Sequence, residues 1–264
     1  MVALPPGTIL QLMYLRERLR RIPAGRFVEI GPGSGEITSF LLVSGWIGSA
    51  YDLDSETVNR LNTRFAGDIA GGRLTVVNDD YLTTRDDADA DLVISCMVME
   101  HLGDDRQRAF MTKAASKLQS GGRMIGLVPA SPRHWGIEDD IAGHCRRYTR
   151  STLGDLAAST GWTVTHIAGL TFPLSNLLLP ISNFLVYRHE RGKLALRPLE
   201  QTMQSGRRRV PFKTHYPPFL GIILNEFALA PFHALQKFWV SSERALVYFE
   251  AEPNVSTPVT YNEQ

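Results

Sequence analysis

Cysteine is scarce in this chain of 264 residues: Cys96 and Cys145 are the only two. That excludes a disulfide scaffold and a cysteine-rich zinc module. Net charge is equally scarce, with 28 Lys+Arg against 27 Asp+Glu. The balance excludes an acidic disordered chain and argues against a globally basic nucleic-acid binder. Long apolar runs are missing as well. The longest stretch, 170–187, is interrupted by Pro173, Asn176, Pro180 and Asn183. A membrane-spanning helix wants about 20 consecutive apolar residues, so this stretch is expected to be buried or interfacial. The opening Met1-Val-Ala-Leu-Pro-Pro-Gly7 has neither the basic flank nor the apolar core of a secretory leader. A cytoplasmic location is the expectation. No tandem repeat is visible.

What is present is length for one large α/β domain, or a domain carrying a substantial insertion. Charge is distributed unevenly along it. Residues 1–170 carry 18 basic and 20 acidic side chains, whereas residues 171–250 carry 10 and 5. A mildly acidic first part is followed by a basic, apolar one.

Apolar runs alternate with helical periodicity over the first 170 residues. Strands are expected at 26–30, 48–53, 73–77, 91–96, 123–128 and 162–167. Helices are expected at 8–21, 36–44, from the cap Ser55 onward, at 105–118 and at 151–160. Residues 129–149 read as a loop. A last strand is expected at 245–251. Strands alternating with helices of this size imply a doubly wound, Rossmann-like parallel sheet.

The strongest local feature is Glu29-Ile-Gly31-Pro32-Gly33-Ser-Gly35-Glu36. It lies between a strand and a helix, the context in which a glycine turn binds a nucleotide-like ligand. A dinucleotide fingerprint would place its third glycine at position 36, which is Glu. A carboxylate at a helix N-terminus repels pyrophosphate, so a NAD-type cofactor is disfavoured. There is no phosphate-binding lysine either. Asp52 and Asp80 end the second and third strands, where the carboxyl edge of a parallel sheet opens onto its ligand crevice. Asp52 can accept both hydroxyls of a ribose, and Asp80 an amino group.

Together with Asp52-Leu-Asp54, Asn78-Asp-Asp80, Asp91–Ser95, Met99-Glu-His-Leu102 and Leu118–Gly122, this pattern resembles the class I S-adenosylmethionine-dependent methyltransferases. The resemblance covers about residues 25–170. It implies a seven-stranded sheet whose last strand is antiparallel, with S-adenosylmethionine as cofactor. It also implies that Gly31, Pro32, Gly33 and Gly35 border the methionine part while Glu29 orients the turn. Asp52 would hold the ribose, Leu53, Asp80 and Tyr81 the adenine, and Ser95, Cys96 and Met97 the region of the sulfonium. Family members connect strands six and seven briefly. Here that connection is a mostly helical insertion, 169–243. The cofactor domain is then 1–168 plus 244–252, and 253–264 reads as a flexible tail.

The segment Glu138-Asp-Asp-Ile-Ala-Gly-His144-Cys-Arg146-Arg147-Tyr148-Thr149 resembles one found in a subset of these enzymes, often associated with sugar, lipid or secondary-metabolite clusters. His144 is the candidate general base. His101, Arg146, Arg147 and Tyr148 are candidates for the substrate side. The same residues can instead pin the loop, with Asp139 as salt partner. His134, His189, His215 and His233 show no ligand spacing, so no metal is expected. The expected reaction is methyl transfer to the O, N or C of a small apolar or aromatic metabolite. An idle methyltransferase-like binding subunit, or an enzyme acting on a lipid-linked substrate, are the alternatives. For the insertion three roles stay open: a lid over a hydrophobic or aromatic substrate, a homodimer interface or plain extra core, or docking on an anionic membrane or a lipid-linked substrate. Its densest basic point is Arg207–Arg209. No nucleic-acid partner is expected.

Overall fold

Leu92, Val93 and Ile94 make a continuous apolar run on β4 (Ala90–Cys96). A strand apolar on both faces needs cover on both. The computed structural model, which describes residues 3–84, 89–205, 210–214, 216–238 and 245–254, supplies it. Val93 packs with Val28, Phe110, Met111 and Tyr148 on one face, while Ile94 packs with Phe27, Leu41 and Trp46 on the other. Adjacent residues point to opposite faces of a strand, so one short run anchors two core layers.

Around β4 lie six further strands: β1 (Arg26–Ile30), β2 (Ile47–Asp52), β3 (Leu74–Asn78), β5 (Leu118–Pro129), β6 (Trp162–Leu170) and β7 (Leu246–Pro253). Their order is β3-β2-β1-β4-β5-β7-β6. The first five are parallel, and β7 runs antiparallel to both β5 and β6. Strand order reverses between β1 and β4, the place where such a sheet opens a crevice at its carboxyl edge. The expected seven-stranded sheet with its last strand antiparallel is the one observed.

α1 (Pro6–Leu19) and α2 (Glu36–Val43) cover one face. α5 (Asp104–Lys117) and α7 (Arg150–Ser159) cover the other. α3 (Ser55–Arg64) is capped by Asp54, not by Ser55: the Asp54 carboxylate accepts from the Thr57 N–H at 3.0 Å and the Thr57 hydroxyl at 2.7 Å. A short α4 (Ala66–Ala70) follows. The expected loop 129–149 contains a helix, α6 (Ile137–Ala142), with three acidic residues in its first turn. Acidic side chains favour that helix end.

The segment between β6 and β7 holds α8 (Leu174–Glu190), α9 (Pro198–Ser205) and α10 (Glu226–Phe238). Leu229 of α10 joins Ile9 and Leu10 of α1 in a small apolar cluster. Among the described residues no helix is long and apolar enough to cross a membrane. Arg207–Arg209, His215 and the tail beyond Asn254 lie outside the described residues.

β1 and β2 approach closely because Gly48 faces Phe27. A Cβ on Gly48 would fall 1.9 Å from the Phe27 carbonyl oxygen. Gly48→Ala is therefore expected to lower the unfolding free energy by about 2–3 kcal/mol, read by chemical denaturation. An unchanged midpoint would contradict this register.

Candidate active site

β1 ends at Ile30, and the chain must turn at once to start α2. Gly31 and Gly33 make the turn at φ +71° and +55°, conformations that cost other residues steric strain. At Gly31 a side chain has nowhere to go: its Cβ would lie 2.4 Å from Val98 Cγ2. At Gly33 a Cβ would meet nothing within 4 Å, and the backbone there faces open cleft. The Gly31 N–H donates to the Tyr51 carbonyl at 2.9 Å, tying the turn to β2. Gly35 serves differently. It begins α2 and packs against Leu61 and Phe65, away from the cleft.

Beneath the turn Glu29 is buried and accepts from the Thr38 hydroxyl at 2.6 Å. Burial pushes its carboxyl from 4.5 up to about 7. At the end of β2 Asp52 accepts from the Asp54 N–H at 2.9 Å, and burial raises its carboxyl too. Asp54, the other acid of this pair, is committed to its capping bonds; Asp52 borders the cleft.

The cleft holds about 830 Å³ of empty space, part of it open to solvent. Of the residues expected to bind cofactor, Gly31, Gly33, Asp52, Leu53, Asp80, Tyr81 and Met97 line it. Pro32, Ser95 and Cys96 do not line it. Ser95 is buried, and burial beside Glu29 and Glu100 pushes the Cys96 thiol well above its ordinary range. Met97 is the residue presented at this strand end, at φ +59°. Such a conformation in a non-glycine residue costs of order 1 kcal/mol and clusters at functional sites. Asp80 is more occupied than expected. One oxygen accepts from the Leu82 N–H at 3.0 Å, the other from Arg106 at 2.6 Å. Glu36 is paired with Arg64 at 2.8 Å, which offsets its charge at the start of α2.

The opposite wall comes from the turn after β4. Here His101 borders the cleft and His144 does not. The His144 ring stands behind the His101 ring, edge to face, with centroids 4.7 Å apart. His144 Nδ1 donates to Asp139 Oδ1 at 2.8 Å, and its Nε2 lies 3.9 Å from Glu100 Oε1. Arg147 grips both oxygens of Asp139, at 2.9 and 3.0 Å. Burial alone would raise the Asp139 carboxyl, but these bonds outweigh it and hold it below the usual range. Glu100 is fully buried, neither of its oxygens has a hydrogen-bond partner, and burial lifts it to about 8.

Three of the residues expected on the substrate side therefore point elsewhere. Arg146 binds Asp104, Gln107 and the Leu102 carbonyl, Arg147 binds Asp139, and the buried Tyr148 hydroxyl donates to the Met99 carbonyl at 3.0 Å. They pin the segment after β5 to the turn after β4. Glu100, His101 and His144 do bring ligand atoms within 4.8 Å of one another, enough to consider a divalent ion. No local spacing signalled that grouping, since it joins two turns more than 40 residues apart. Sequence reading also missed Thr202 and Met203 of α9, which line the cleft from the insertion. Thr202 Oγ1 lies 3.2 Å from His101 Nδ1, in hydrogen bond.

Residues 9–167 match the family described as "Methyltransferase domain". The chain belongs to the class I S-adenosylmethionine-dependent methyltransferase family. Among solved structures, the fold resembles StiE O-MT residues 961–1257 at TM-score 0.54 and 14% identity, over 94% of this chain and 75% of that one. It also resembles the glycopeptide N-methyltransferase MtfA complexed with S-adenosylmethionine, at TM-score 0.50 and 17% identity over 60% and 79%. Similar curated sequences include a probable ribosomal RNA small subunit methyltransferase A of Methanospirillum hungatei, 45% identical over 58 residues, and one of Methylococcus capsulatus, 47% over 60. Those matches span 22% and 23% of this chain and only 23% and 22% of the relatives' own length.

Glu29 makes stability depend on pH. Folding favours its protonated form, so stability falls as pH rises from about 4.5 to about 7 and the penalty stays in force above that. Glu29→Gln is expected to melt with wild type near pH 4.5 and above it at pH 8, by up to about 3 kcal/mol. Equal melting at pH 8 would contradict the buried, raised carboxyl.

Proposed function

We propose that this methyltransferase binds S-adenosylmethionine at the β1–β4 switch point and methylates a small apolar or aromatic acceptor beneath α9. The observation that carries the reading is the pairing of two features on one cleft. Bare positive-φ backbone at Gly33 stands on one side, and the Asp52 carboxylate at a strand end on the other. A side-chain-free cradle beside a half-buried acceptor of hydroxyl protons fits a nucleoside joined to an amino acid. Bound there, S-adenosylmethionine supplies a methyl group on a sulfonium, and the protein supplies position and dryness.

Asp52 would accept the ribose hydroxyls, and Leu53 would pack on the base. Val98, Leu102 and Phe110 make the acceptor side apolar. Thr202 and Met203 line it from α9, where they would help to exclude water once an acceptor is bound. A general base is needed where the acceptor carries a weakly acidic proton. Sequence reading assigns that role to His144. The geometry supports His101 better, because it is the histidine on the cleft wall. His144, fixed by Asp139, then acts as a positioning residue behind it. The relatives acting on ribosomal RNA share too little of their length to carry an RNA acceptor over, and the near-neutral chain argues against one.

Asp52→Ala is expected to weaken S-adenosylmethionine binding by roughly 10–100-fold in calorimetry; undiminished affinity would remove the carboxylate from the site. With an acceptor found by screening for a mass gain of one methylene, His101→Ala should lower kcat about 100-fold or more and abolish the acidic limb of the pH profile. His144→Ala should cost less and shift that limb. The reverse ranking would return the base to His144. Activity is expected to survive dialysis against a chelator. Loss restored by a divalent ion would turn Glu100, His101 and His144 into a metal site.

A further inference from the structure

Exposed large apolar side chains are concentrated in one part of this molecule. Of the 17 among the described residues, 12 lie between β6 and β7, so the excess belongs to the insertion and not to the sheet. On α8, Leu177, Ile181 and Phe184 follow one another at helical spacing, and Leu177 is 70% exposed. That spacing makes a single apolar stripe turned to solvent. In the turn before α10 and at its start, Phe219, Ile222 and Phe227 are 68%, 81% and 92% exposed. Soluble monomers rarely leave so much apolar surface uncovered.

The segments that carry the two groups meet at α1. Ser175, at the start of α8, lies against Gly7 of α1. Ala3 bridges Tyr216, and an apolar groove runs between Leu4 and Ile9 on one bank and Pro218 and Leu224 on the other. The start of α8 and the segment before α10 therefore flank the beginning of α1. Neither helix can span a bilayer: α8 has 17 residues and contains Pro180, and α10 has 13 and contains Pro231.

Charge selects the occupant. Residues 171–243 carry nine basic and four acidic side chains, against a net negative first part. Arg188, Arg191 and Arg197 follow the α8 stripe and are exposed. A second copy would bring the same positive charge to the contact. An anionic bilayer offers the opposite charge together with an apolar interior. We propose that the insertion docks this methyltransferase on an anionic phospholipid surface, its α8 and α10 faces buried in the headgroup region as interfacial helices.

Vesicle sedimentation of the full chain tests this without reference to methyl transfer. Binding is expected to vesicles with roughly 30% phosphatidylserine, to weaken at least 10-fold on phosphatidylcholine alone, and to weaken at high salt. Ile181→Glu with Phe184→Glu should lower the partition at least 10-fold while leaving cofactor affinity and melting temperature unchanged. Arg188→Glu with Arg197→Glu, which spares the apolar faces, should do so on anionic vesicles only. Failure of the wild type to sediment with anionic vesicles would overturn the proposal. So would binding that both variants retain, or a solution dimer that the Glu variants dissociate in the absence of vesicle binding.

Discussion

Backbone packed against a side chain, with no room for a Cβ between them, governs this molecule. The turn at Gly31 lies against Val98 so closely that any side chain would force β1 and the turn after β4 apart. Those two segments bound the switch point of the sheet. Beside that contact the carboxyl edge opens into the cleft lined by Asp52 and Met97. The central strands are buried on both faces and cannot shift to relieve a clash, because close-packed interiors transmit strain. Cradle, acid and cleft wall thus follow from one steric constraint.

Two kinds of buried acid surround that constraint. Asp139 is paired with Arg147 and His144, and it stays ionised. Glu29 accepts from the Thr38 hydroxyl and Glu100 stands 3.9 Å from His144 Nε2, and burial holds both toward their neutral forms. A paired buried charge organises its neighbours, and Asp139 fixes the tautomer and direction of His144. A buried acid held neutral costs stability above its raised pKa, and both such acids sit next to the cleft walls, beneath Gly31 and behind His101.

Much of this was legible in the residues. The glycine turn, Asp52 at a strand end and the antiparallel last strand all depend on local patterns, namely strand-turn-helix order and apolar periodicity. What was not legible depends on direction or on distance along the chain. His144, Arg147 and Tyr148 stand in one short motif, and nothing local says that they turn inward to Asp139 and Met99 while His101 takes the wall. Asp54 outcompeted Ser55 as a cap because its carboxylate reaches both the Thr57 amide and hydroxyl. Thr202 and Met203 left no trace, since their meeting with His101 spans about 100 residues.

The bond between Thr202 and His101 has a kinetic consequence. Any acceptor that engages His101 through the same nitrogen must first displace the α9 hydroxyl, so part of its binding free energy goes into lifting the roof. On the proposed reading, a poorly fitting molecule would lack that surplus, and discrimination would occur at entry. Departure works in reverse. On the proposed reading, α9 would compete with a departing product for the same wall as Thr202 regains its bond.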